Sequence, residues 1–166
     1  MDAREIINKL GLIKLPEEGG FYREVYRSPE KVTNSTLQNG QARTCGTDIY
    51  YLITPEEFSG LHRVRHSIEI FSFYAGDPAE LFQIDAHGSA QTFLLGNNLD
   101  QGQTPKHIVP ANYWQGTRLI EGGKWALLGC TCIPGFEFED FEGGTFETLA
   151  AKFPQHAEKI KRYTHR

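Results

Sequence analysis

From residue 48 to residue 133 one small pattern recurs: a short run of strand-type residues, then a knot of turn formers. The runs fall at 48–53, 61–65, 68–74, 80–85, 91–95, 106–109, 114–119 and 124–133. Asp77-Pro78, His87-Gly88-Ser89, Gly96-Asn97-Asn98 and Glu121-Gly122-Gly123 separate several of them. Short strands at regular spacing with turn signals between them predict an all-β sandwich or barrel. A further strand is expected at 21–27, with Phe21, Arg23 and Val25 on one face and Tyr22, Glu24 and Tyr26 on the other. The polar stretch 28–46, rich in Asn, Thr, Gln and Ser, reads as a loop or a solvent-exposed hairpin.

The two ends read differently. Asp2 followed by Glu5 is a capping box, Ile6, Ile7 and Leu10 fall on one face at helical spacing, and Gly11 closes the turn, so a short helix is expected at about 2–10. After Gly143-Gly144, residues 145–153 form a helix candidate, and Pro154 suits the first turn of another carrying Ala157, Ile160 and Tyr163. At 166 residues the chain suits a single domain, 1–166, with a β core at about 20–140 and terminal helices at about 2–10 and 145–163.

Charge and composition narrow the partners. A net charge of -4, with no basic cluster beyond Arg63, Arg65 and His66, opposes a nucleic-acid footprint, and those three read as a solvated face. Apolar residues are spread along the chain rather than gathered into a membrane span, so no membrane partner is expected. The start Met1-Asp2-Ala3-Arg4-Glu5 lacks the form of a secretory signal, and the cytoplasm is the expected location. Three cysteines are an odd number for a disulfide framework. Cys130-Thr131-Cys132 lacks C-x-x-C spacing; on a strand its two thiols share one face and read as packed free cysteines.

The chemistry is expected between Gly60 and Gly76. Glu69 lies among Ile68, Ile70, Phe71 and Phe73, where an ionised carboxylate is costly unless something compensates it. His62 stands seven places before it and Gly76 seven after it. This spacing resembles the first motif of the cupin superfamily: a glycine, a His-x-His pair, three or four residues, a Glu, six residues and a Gly. The second histidine position falls on Val64. The second motif, Pro-x-Gly-x-x-His, is met by Pro110-Ala111-Asn112-Tyr113-Trp114-Gln115, with Gln115 in the place of its histidine.

Gly19-Gly20-Phe21-Tyr22-Arg23-Glu24, Phe73-Tyr74-Ala75-Gly76-Asp77-Pro78 and Pro134-Gly135-Phe136-Glu137-Phe138 are similar to a branch of small single-domain cupins of unknown function. The resemblance implies a double-stranded β-helix, the jelly-roll barrel, with a ligand pocket inside. It also implies a homodimer in which the strand after Gly19-Gly20 joins the partner's sheet, with Arg23 or Glu24 reaching the pocket mouth.

Alternation then sorts the candidates. If His62 points inward so does Val64, while Leu61, Arg63 and Arg65 point out, and Glu69 shares its face with Phe71 and Phe73. His62 and Glu69 are the expected catalytic pair. Tyr51, Phe71, Phe73, Gln115 and Arg23 are the expected ligand contacts, in a mixture of few polar groups and apolar walls that suits a small molecule.

A metal-dependent cupin needs three or four donors, and only His62 and Glu69, with Gln115 as a poor third, stand at the matching positions. No cofactor is expected, a divalent transition metal on those three being the weaker alternative. Metal-free cupins include sugar-nucleotide epimerases and isomerases. A buried Glu69 with its pKa raised, partnered by His62, suits such proton transfer, with Tyr51 or Tyr113 as proton donor. Binding of a carbohydrate, carboxylate or other metabolite without conversion is the other reading, with a metal-dependent cupin oxygenase as the weaker third.

Overall fold

The computed structural model describes residues 1–33 and 42–165. Helix α1 (Ala3–Leu10) forms where its caps dictate: the Glu5 amide donates to Asp2 Oδ1 at 2.8 Å and the Asp2 amide to Glu5 Oε2 at 2.8 Å. Gly11 ends it in the left-handed region at φ +63°, which glycine adopts without penalty.

Thirteen strands follow among the described residues. They are β1 (Ile13–Lys14), β2 (Phe21–Arg27), β3 (Lys31–Val32), β4 (Arg43–Thr44), β5 (Thr47–Ile53), β6 (Ser59–Val64), β7 (Ile68–Gly76), β8 (Ala79–Ile84), β9 (Ala90–Leu95), β10 (Lys106–Val109), β11 (Trp114–Leu119), β12 (Ala126–Ile133) and β13 (Phe141–Gly143). Two short helices, α2 (Phe146–Lys152) and α3 (Ala157–Arg162), close the chain. The two-residue strands β3 and β4 pair at the base of the stretch read as a loop or hairpin; residues 34–41 at its centre lie outside the described residues.

The strands form two antiparallel sheets, β1-β2-β5-β12-β7-β10 and β13-β6-β11-β8-β9, the all-β jelly roll. Between them sits one apolar core containing Tyr51, Ile53, Phe71, Phe73, Leu81, Leu95 and Leu128. The outer faces are covered separately. Helix α1 places Ile6 on Leu52 and Phe21, while α2 and α3 place Leu149, Ile160 and Tyr163 on Leu61, Phe82 and Trp114. Burial of both faces explains why strands such as β8 show a nearly continuous run of buried residues instead of alternation. No helix among the described residues is long and apolar enough to cross a membrane.

Candidate functional site

His62 and Gln115 meet because β6 and β11 pair with these two residues in register, both facing the interior. Gln115 Nε2 lies 2.8 Å from His62 Nε2 and donates to Glu69 Oε1 at 3.2 Å, so the amide bridges the imidazole and the carboxylate across the barrel. His62 Nδ1 donates to the Gly60 carbonyl at 2.8 Å, which fixes the ring. Phe141 stacks on it with centroids 5.2 Å apart.

A second carboxylate completes the group. Glu18, which the sequence reading missed, comes from the loop between β1 and β2 and brings Oε2 to 3.6 Å from His62 Nε2, against 3.8 Å for Glu69 Oε2. Ser59 donates to Glu18 Oε1 at 2.8 Å, and the Gly60 amide holds the Glu18 carbonyl at 2.8 Å. Glu17, Gly19 and Gly20 all have positive φ, and this unusual run turns the Glu18 side chain inward. The signal was present in Glu17-Glu18-Gly19-Gly20, a paired glycine directly after an acid.

Electrostatics follow from burial and proximity. Burial raises the Glu18 carboxyl above its ordinary value and the Glu69 charge adds to this, while His62 and the Ser59 hydroxyl oppose it. Burial by itself lowers His62, but the Glu18 and Glu69 carboxylates outweigh it and hold the imidazole up at about 9. The site at neutral pH is therefore an imidazolium shared by two carboxyl groups. Burial also raises the Tyr51 hydroxyl well above its usual range, and this hydroxyl donates to the Gly19 carbonyl at 2.8 Å.

These groups border a cavity of about 560 Å³ at one end of the barrel. Glu18, Glu69, Tyr51 and Phe71 line it, and Tyr22, Phe136, Phe138 and Phe141 add aromatic wall. Several sequence expectations need correction. His62 and Gln115 are buried behind the two carboxylates and form no part of the cavity wall. Phe73 lies deeper, packed in the core outside the cavity lining. Arg23 lies on the other face of β2, exposed, with its guanidinium 5.5 Å from the Tyr50 ring centroid. A bulge between Glu24 and Tyr26 shifts the alternation, and Arg27 instead arrives at the rim, paired to Glu24 and Glu137. Arg63 and Arg65 are not a free solvated pair: both clamp Glu142 of β13, at 2.8 and 2.7 Å. Tyr113 packs at the edge of the core, away from the cavity lining.

A transition ion on His62, Glu69 and Gln115 does not fit. Val64 is buried and offers no donor atom, and the Gln115 amide fills the space between His62 Nε2 and Glu69 that an ion would need.

The cupin superfamily (DUF985) model matches residues 4–143. This chain belongs to the cupin superfamily. A hypothetical protein from Leishmania major is 33% identical, with a TM-score of 0.91 and full coverage of both chains. A Shewanella oneidensis protein is 32% identical with a TM-score of 0.88, over 99% of this cupin and 98% of that chain. Bacillus subtilis oxalate decarboxylase shares the fold alone, at 18% identity and a TM-score of 0.53, over 92% of this cupin and 37% of that enzyme. No curated protein matches the sequence.

Proposed function

We propose that this cupin binds a small polar metabolite, a sugar or sugar-nucleotide-like molecule, in the barrel cavity and isomerises or epimerises it by proton transfer. One observation carries the reading: Glu18 and Glu69, from different elements, both border an aromatic-walled cavity and share one buried imidazole behind them. Aromatic walls give a sugar ring apolar surface to stack on, and carboxylates accept its hydroxyl protons. Glu18, with its raised pKa, suits removal of a proton from the carbon beside a carbonyl. The electron pair moves to the carbonyl oxygen as an enediolate, and return of the proton to the neighbouring carbon or the opposite face gives the product. His62 carries positive charge behind both carboxylates and holds them in place.

The test is solvent-deuterium exchange. Keto sugars and sugar nucleotides are first screened by thermal shift, and those that bind are incubated in deuterated buffer and read by NMR. Deuterium at the carbon next to the carbonyl, lost in Glu18→Gln with binding retained, is the expected result. Binding without exchange supports the competing reading, a binding module, which the withdrawn position of the imidazole favours. Failure of every screened sugar to bind overturns the ligand class.

Self-association is proposed as well. Strand β1 covers β2 only at Phe21 and Tyr22, which leaves the outer edge of residues 23–27 without a partner strand among the described residues, with Val25 and Tyr26 exposed. An uncovered edge of this kind suits pairing with a second copy.

A further inference from the structure

The two thiols of β12 do not sit in closed packing. Cys130 and Cys132 alternate onto the interior face, and the register of β12 on β7 sets Cys132 directly opposite Glu69. Both line the cavity beside the Glu69 carboxylate. Among the described residues, Glu69, Cys130 and Cys132 form the one group of three histidine, cysteine or acidic donors close enough to share an ion, with all donor atoms within 4.8 Å of one another.

We propose that Glu69, Cys130 and Cys132 form a binding site for a thiophilic divalent cation of the zinc type, with its fourth position open to the cavity.

Tetrahedral zinc with bonds of about 2.3 Å to sulfur and about 2.0–2.2 Å to oxygen requires S···S near 3.8 Å and S···O near 3.5 Å. Cys130 Sγ already lies 3.8 Å from Glu69 Oε2. The ion therefore needs only a small inward movement of side chains that the sheet has already placed on one face. Gln115 supplies the outer support: its amide holds Glu69 Oε1, and Oε2 is the oxygen turned toward Cys130. The donor set also selects the ion. Two thiolates and one carboxylate favour zinc-like cations over the magnesium or calcium that an all-oxygen site would take. Binding releases the two thiol protons to the buffer, and no electron is transferred. The aromatic-walled space beside the site is where water or a ligand oxygen would complete the coordination.

The experiment uses the full chain, reduced and freed of metal with a chelator, and titrated with cobalt(II) without any organic ligand. The expected result is a thiolate-to-cobalt charge-transfer absorption that saturates at one equivalent and is displaced by zinc. Cys130→Ser and Cys132→Ser each lose the band. Cys45→Ser keeps it, because Cys45 lies on the turn between β4 and β5, outside the cluster. Gln115→Leu keeps the band but weakens binding by about 10–100-fold, as for loss of an outer-shell partner.

In case the serine variants fail to fold, labelling of the wild type provides an independent measurement. Zinc should protect Cys130 and Cys132, but not Cys45, from a thiol reagent, as read by peptide mass. A saturable cobalt spectrum without thiolate absorption, unchanged in both serine variants, overturns the proposal, as does labelling that zinc does not alter. Neither readout depends on sugar binding, so failure here is distinct from failure of the isomerase reading.

Discussion

Gly20→Ala tests the loop that aims Glu18. Gly20 has φ +75°, and a Cβ added there would lie 2.7 Å from Tyr51 Cε2 and 2.9 Å from both Cζ and the hydroxyl oxygen. Tyr51 is 1% exposed and its hydroxyl is tied to the Gly19 carbonyl at 2.8 Å, so its ring cannot yield without giving up that bond. Two costs combine. An L-residue in the left-handed region costs roughly 1–2 kcal/mol, and overpacking a tight core costs about 1–3 kcal/mol, for roughly 2–5 kcal/mol together.

Gly122→Ala separates them, because Gly122 has φ +81° but nothing within 4 Å of the added carbon. It should show the backbone cost alone, about 1–2 kcal/mol. Urea denaturation of both variants, fitted with a common slope, gives the difference. Gly20→Ala should also weaken ligand binding, since the displaced Tyr51 hydroxyl releases the Gly19 carbonyl next to Glu18. In the double variant Gly20→Ala/Tyr51→Ala the two costs should not add, because the smaller side chain removes the clash. If the two glycine variants agree within about 0.5 kcal/mol, Tyr51 does not hold the loop and the account of how Glu18 is placed is wrong.

Glu80 accepts from the Tyr163 hydroxyl at 2.6 Å and pairs with Lys159 at 3.0 Å; burial raises its pKa, but these partners outweigh it and hold the carboxyl below its usual range. A lowered folded pKa contributes stability above the ordinary carboxylate range and loses it as pH falls through the folded value. Melting temperature should thus fall more steeply for wild type than for Glu80→Gln between about pH 5 and pH 3, and parallel curves would refute this. Ile160 is fully buried between α3 and the outer sheet face, so Ile160→Ala should cost about 2–5 kcal/mol in denaturation. Below about 1 kcal/mol the helices are not integral to the fold. Tyr26→Lys places a charge on the open edge of β2 and should convert a dimer to a monomer in sedimentation. An unchanged mass would remove that edge as the contact.

What could be read in the sequence, and what could not, divides along the range of the interactions involved. Period-two alternation is local, so it was enough to turn His62 and Glu69 inward and Arg63 outward, and the interior does hold both. The capping box and Gly11 are equally local, and α1 begins and ends where they say. Arg23 went astray because alternation sorts β2 into two faces without saying which is inward: Tyr22 and Glu24 face the cavity and Arg23 does not, and the bulge beyond Glu24 then gives the cavity rim to Arg27. Glu18 has no period at all, since a run of left-handed residues aims it and only the fold shows what it is aimed at.

The cysteines fall between these cases. That they share a face follows from their spacing, but that Glu69 is opposite them depends on β12 pairing with β7 across 61 residues of chain. Gln115 on one side and the thiols of Cys130 and Cys132 on the other therefore meet at one side chain. Glu69 is held by Gln115 on one oxygen and turns the other toward sulfur. An amide in place of an imidazole cannot grip an ion from that side, yet it can orient the carboxylate for a site on the other, and this makes position 115 the residue whose substitution should affect cation binding without removing any donor to it.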